Sequence, residues 1–210
     1  MNTVKISKNE VPIMNIGEIK TAALSMADAV YEIIELTQEG FMENKSEILS
    51  GAINKEHQIN QMEKLLTKNI MELSKDSNDK AGLSVMEQMI EALERMGDEV
   101  ASMIERIEVK VAEKLLFSEK GVEQFNETYD TMKKSVAMMR EYLRNKSEDT
   151  RKRVVDNGFQ VKELVERYRK EHSDRLIHGL CTPMGANMYF DMLDFTGNLA
   201  RHASNIVKLF

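Results

Sequence analysis

Residues 86–111 read MEQMIEALERMGDEVASMIERIEVKV, and this run decides the fold. Met86, Met89, Leu93, Met96, Val100, Ile104, Ile107 and Val111 recur at steps of three and four, the period of an α-helix with one buried stripe. The same period extends outward on both sides. Strand alternation is nowhere sustained, and no proline occurs between Pro12 and Pro183. Proline removes a backbone donor and clashes with the preceding turn, so so long a proline-free interval is what helices need. The expectation is an all-α protein.

Caps and stripes divide the chain further. A first helix is predicted from about Ile16 to Phe41, with Ile19, Ala23, Met26, Val30, Ile33 and Ile34 on one side. A second opens at Asn44-Lys45-Ser46 and carries Ile48, Leu49, Ile53, Ile59, Met62, Leu66 and Ile70 to about Ser74. Lys75 to Lys80 is a polar turn, and the third helix follows it to about Leu116. Ser118 is the next N-cap, for a helix bearing Val122, Phe125, Tyr129, Met132, Val136, Met139 and Leu143. Asn145 to Thr150 is a second polar turn. The fifth helix ends near Ile177, with Gly179 as a left-handed C-cap residue. Thr182-Pro183, a hydroxyl cap followed by proline at the first helical position, starts a sixth helix that runs to Phe210. Six helices with short turns read as two tandem antiparallel three-helix bundles, residues 14–116 and 118–210.

Composition narrows the function. Thirty-five acidic against twenty-nine basic residues give a net charge of −6, which argues against nucleic-acid binding through a broad cationic surface. With 42% apolar and 30% charged residues the chain is of ordinary globular type. The single cysteine, Cys181, has no disulfide partner, and a reducing, cytoplasmic compartment fits it. No apolar run is long enough for a bilayer span, and Met1-Asn2-Thr3-Val4-Lys5 lacks a signal-peptide core, so direct membrane insertion is not expected. The sixteen methionines are read as core filler.

Chemistry-bearing patterns are sparse. In Leu93-Glu94-Arg95-Met96-Gly97-Asp98, Glu94 and Asp98 share a helix face beside the buried stripe. On the second helix Glu56, Asn60 and Glu63 share another. If these faces meet, oxygen ligands converge, and such a set suits Mg²⁺, Ca²⁺, Mn²⁺ or carboxylate-bound iron. Carboxylates at this spacing are also a common solvated pattern. His57, His172, His178 and His202 show no Glu-x-x-His spacing, so a ferritin-like di-iron site lacks its ligands. Cys181 has no neighbouring base in sequence. Phosphate-binding glycine loops and serine nucleophile elbows are missing too. Arg151-Lys152-Arg153 reads as a solvated turn.

Leu93-Glu94-Arg95-Met96-Gly97-Asp98 resembles the leucine–glutamate–arginine–isoleucine–glycine–aspartate run of PhoU-like domains, and Glu56-x-x-Ile59-Asn60-x-Met62-Glu63 resembles the segment one helix earlier. Tyr168 to Leu176, Gly179, Cys181, Pro183, Tyr189 to Leu193 and His202-Ala203-x-Asn205-Ile206 are similar to the C-terminal PhoU domain of bacterial sodium/phosphate cotransporters. The resemblance implies tandem three-helix bundles and a cytoplasmic, non-catalytic regulatory module of phosphate transport, acting on the membrane domain of a transporter or on its sensor kinase. It also implies a metal site in each bundle, built from a Glu/Asp-x-x-x-Asp motif on each of two helices. In the first bundle those positions are Glu56 with Asn60 and Glu94 with Asp98. In the second they fall on Gly158, Lys162, Gly197 and Arg201. All four carboxylates are gone there, so no metal is expected in that bundle.

Three alternatives stand beside this reading. One is a free-standing PhoU-type regulator of phosphate signalling. Another is a metal-dependent hydrolase using Glu56, Glu94 and Asp98, for which His57 is the nearest general base but points about 100° from Glu56 on an ideal helix. The last is a purely structural helical scaffold. Self-association into a homodimer is compatible with all of them.

Overall fold

The computed structural model describes residues 14–210; Pro12 and the Met1–Lys5 run lie outside the described residues. Six α-helices and no strands occur among them: α1 (Ile16–Glu43), α2 (Ser46–Asp76), α3 (Lys80–Ala112), α4 (Glu119–Asn145), α5 (Glu148–Ile177) and α6 (Pro183–Lys208). Five of the six starts are set by side-chain caps, α2 following Lys45 without one. Asn15 accepts from the N–H groups of Gly17 and Glu18 while the Glu18 carboxylate accepts from Asn15 N–H, a reciprocal box. Asp79, Ser118, Ser147 and Thr182 cap α3 to α6 in turn. Gly179 takes φ +69°, the left-handed turn expected of it.

Several boundaries differ from the sequence reading: α1 runs to Glu43 rather than Phe41, α2 to Asp76 rather than Ser74, and α6 stops at Lys208 rather than Phe210. The third helix stops at Ala112 rather than Leu116 because Lys114 adopts φ +51° and Leu115 N–H turns back to the Lys110 carbonyl at 2.9 Å. The turn expected over Asn145 to Thr150 narrows to Lys146 and Ser147, since Ser147 already caps α5. The apolar stripes are buried as expected in their centres, whereas Ile48, Ile53, Met62, Val111 and Val122 at the edges are only half-buried.

Helices α1, α2 and α3 pack on one another, and so do α4, α5 and α6, giving two tandem three-helix bundles. Close approach is built in at the α1–α2 turn, where a Cβ on Gly40 would lie 2.5 Å from Leu49 Cδ2. A seam of α1 against α4 and α3 against α6 joins the bundles, while α2 and α5 touch only their own bundle. The seam carries both apolar and polar contacts. Tyr129, fully buried, donates to the Ile34 carbonyl at 2.8 Å. Asp28 accepts from Arg140 at 2.6 Å and from Arg144 at 2.6 Å. Burial works to raise the Asp28 carboxyl, but the two guanidinium groups outweigh it and hold it below the usual carboxylate range. On the other side Arg106 meets Asp191 at 3.0 Å and Asn198 donates to Glu99 at 3.1 Å. Among the described residues no helix is long and apolar enough to cross a membrane.

Candidate functional site

The acidic residues singled out from sequence sit on α2 and α3, which are neighbours in the first bundle. Gly97 faces α2: a Cβ there would come into ordinary contact with Ile59 Cγ2 at 3.5 Å and Glu56 Cγ at 3.8 Å. Glu56 therefore lies against the α3 backbone one turn from Glu94. Its side chain is almost wholly buried, and it accepts from the Asn60 amide at 2.6 Å. That bond leaves Asn60 Oδ1 buried with no hydrogen-bond partner. Glu63 accepts from Thr67 at 3.1 Å, and Asp98 is exposed at the rim.

Electrostatics ties these groups together. Burial raises the Glu94 carboxyl above its ordinary value, and the negative charges of Asp98, Glu63 and Glu56 push it the same way against the opposing Arg95. Glu56, Glu63 and Asp98 thus all bear on Glu94, and Asn60 is bonded to Glu56. Among the described residues, however, no three Asp, Glu, His or Cys side chains converge tightly enough to grip a metal ion. The donor set itself suits a hard cation: oxygen only, crowded with negative charge, and with one amide oxygen left unbonded. His57 Nε2 comes to 3.8 Å of Glu56 Oε2 although its ring is mostly solvent-exposed.

In the second bundle Gly158, Lys162, Gly197 and Arg201 also come together, on α5 and α6. They line a cavity of about 460 Å³ between the two helices. Lys162 reaches Glu166 only at 3.7 Å, and Arg201 rests on the Asn198 amide oxygen at 3.2 Å. A cation placed here would face two positive side chains.

One pairing escaped sequence reasoning. Cys181 was expected to lack a base, but its Sγ lies 3.8 Å from His172 Nε2. The turn after α5 folds back through Gly179 and brings the thiol onto the helix it has just left. His172 is stacked on Tyr189 with ring centroids 4.2 Å apart, and its Nδ1 is 2.9 Å from Arg175. Burial, with Arg175 adding to it, lowers the imidazole to about 4, so it is neutral near pH 7. The spacing of nine residues has no helical meaning, so only the turn geometry could have revealed it.

The chain is thus an all-helical protein of two tandem three-helix bundles, with an acidic face between α2 and α3. Residues 23–107 match the PhoU domain family. That match spans most of the first bundle, and the fold of the whole chain is that of solved PhoU structures. The chain is similar to PhoU from Pseudomonas aeruginosa, with TM-score 0.86 at 17% identity over 92% of this chain and 94% of that one. It is similar also to the phosphate transport system regulatory protein PhoU from Streptococcus pneumoniae, with TM-score 0.81 at 17% identity, covering 92% of this chain and 91% of that chain. A PhoU-like protein from Shewanella oneidensis MR-1 matches with TM-score 0.65 at 12% identity, over 91% and 96% of the two chains. No curated protein matches the chain in sequence.

Proposed function

We propose that this chain is a PhoU-type regulator of phosphate transport that works by contact with a transport system in the cytoplasm rather than by catalysis. The observation that carries this is the correspondence of both bundles, over 92% of the chain, with PhoU proteins that it matches nearly end to end. That extent favours a free-standing regulator over the cotransporter tail that the sequence motifs put first. Within this reading residues 14–116 and 118–210 are two halves with different tasks. In the first, Glu56, Asn60, Glu63, Glu94 and Asp98 would hold a divalent or iron cation (Mg, Ca, Mn or Fe), which would supply the positive charge that crowded carboxylates need. Asn60 would turn its unbonded oxygen to this use, and Arg95 would remain the only local cation otherwise opposing the crowding of Glu94. In the second, the loss of all four carboxylates leaves no metal site.

Deleting the gene should alter phosphate uptake and phosphate-responsive expression in phosphate-rich medium, and supplying this chain alone in trans should restore both. Unchanged uptake would overturn the regulatory reading. Restoration only when the chain is fused to a transporter membrane domain would return the cotransporter-tail reading to first place.

A further inference from the structure

The cavity between α5 and α6 has a composition that a metal site does not explain. Its floor is made by two glycines. A Cβ on Gly158 would lie 2.3 Å from Ser204 Oγ, and one on Gly197 would lie 3.6 Å from Val165 Cγ2. Ser204 is 8% exposed, and its hydroxyl, facing that floor, has no hydrogen-bond partner. The hydroxyl is wedged where a Gly158 side chain would be, so the missing side chain at Gly158 is filled from α6 and the two helices lie close beneath the cavity.

The walls divide into two kinds. Lys162, Arg169, Arg201 and Lys208 supply four positive side chains against the carboxylates of Glu166 and Asp194. Arg169 is taken up by Asp194 at 3.0 Å. Lys162 and Arg201 are not held in close ion pairs: the nearest Glu166 oxygen is 3.7 Å from Lys162, and Arg201 bonds the neutral Asn198 amide. Arg201 also lies in the field of Glu99 on α3, which tempers but does not cancel its charge. On a chain of net charge −6 this is a local cationic concentration, and it suits a dianion. The other wall is apolar, with Val155, Val165 and Phe159, whose ring is 61% exposed at the edge of the cavity. A ring left in solvent beside a cavity is a platform for a planar group.

We infer that this cavity is a binding site for a small organic phosphate of the nucleotide class. The phosphates would lie against Lys162 and Arg201, and the base would stack on Phe159. Volume supports this choice over inorganic phosphate: about 460 Å³ lies in the range of small-molecule sites, and a single phosphate would leave the apolar wall wet. The replacement of four carboxylates by two glycines, a lysine and an arginine then has a physical sense. The glycines open the space and the cations reverse its sign. This inference is independent of the role in phosphate transport and of any cation in the first bundle.

The test uses the full chain in EDTA, so that metal-bridged binding elsewhere is suppressed, with ADP, adenosine and inorganic phosphate as probes in calorimetric titrations. ADP should bind saturably, with adenosine and inorganic phosphate each weaker by about tenfold or more. The double substitution Lys162→Glu with Arg201→Glu should weaken ADP by about a hundredfold, and Phe159→Ala by about tenfold with little effect on inorganic phosphate. These three side chains are well exposed, and an unchanged thermal melt will show that the variants fold. No saturation by ADP up to about 1 mM, or ADP binding that survives Lys162→Glu with Arg201→Glu, would overturn the inference.

Discussion

Tyr129 on α4 donates its phenol proton to the carbonyl of Ile34 on α1, 2.8 Å away at the centre of the seam. The phenol is fully buried, and burial pushes its acidity far out of the physiological range, so it stays a donor at any working pH. Tyr129→Phe removes the donor while the Ile34 carbonyl keeps its helical partner, and the loss should be about 1 kcal/mol. Urea unfolding of the variant should remain a single transition with a lower midpoint. Two separated transitions would show that the bundles do not depend on each other through this seam.

Acid should weaken the fold well above the carboxylate range. His172 and His202 are both buried and neutral. Burial, with Arg201 and Arg95 adding to it, takes His202 from 6.5 to about 4, and burial with Arg175 does the same for His172. The unfolded chain therefore binds more protons between these values. Stability is full well above pH 6.5 and is lost as pH falls through 6.5 toward 4, by at most about 3 kcal/mol for each imidazole. Thermal melts between pH 7.5 and 4.5 should show this slope, and His202→Gln should flatten it (approximate range from the ordinary imidazole value). An equal slope in that variant would remove His202 from the account.

Two glycines in equivalent helical settings should answer alanine differently. A Cβ on Gly97 meets nothing closer than 3.5 Å, so Gly97→Ala should stabilise α3 by up to about 1 kcal/mol from helix propensity. Gly158→Ala forces Ser204 Oγ aside from 2.3 Å, which should cancel much of that gain. In a Ser204→Ala background the full gain should return. Calorimetric melting of the four variants forms a cycle whose non-additivity measures the Gly158–Ser204 contact.

Asn60 is the point at which the first-bundle site is one charge poorer than the motif it matches. Asn60→Asp should raise Mn²⁺ affinity by about tenfold or more while lowering the melting temperature of the metal-free protein, because it adds a charge beside Glu56 and Glu94. Glu94→Gln should do the reverse on both counts. Equilibrium dialysis with metal analysis and a melt in EDTA check both. If neither change moves Mn²⁺ binding, the cation proposal fails.

The helices were legible because all but α2 begin with a residue whose side chain caps them and each carries a 3.6-residue stripe, from Ile19 to Ile34 on α1 or Leu93 to Ile107 on α3. The tandem bundles and the kinship with PhoU followed from those stripes and from the Glu94–Asp98 run. Helix ends were less legible. Nothing in the Glu113-Lys114-Leu115 composition announces a left-handed residue at Lys114, because a lysine there is tolerated only by tertiary context. The facing of Glu56 and Glu94 could be read from spacing and an assumed antiparallel pairing. The Cys181–His172 pair and the Ser204 hydroxyl under Gly158 could not, since each depends on how one element folds back on another. At the second-bundle motif positions the sequence shows no carboxylates, and only the structure shows that Gly158, Lys162, Gly197 and Arg201 line a cavity.

The seam also settles how the molecule can breathe. Since α1, α3, α4 and α6 do all the joining, they form a spine, and α2 and α5 lie on it as side panels, each held only by the two other helices of its own bundle. A panel can loosen its hinge-side grip without parting the spine, so amide hydrogens in α2 and α5 should exchange with solvent sooner than those of Tyr129 or Ile104.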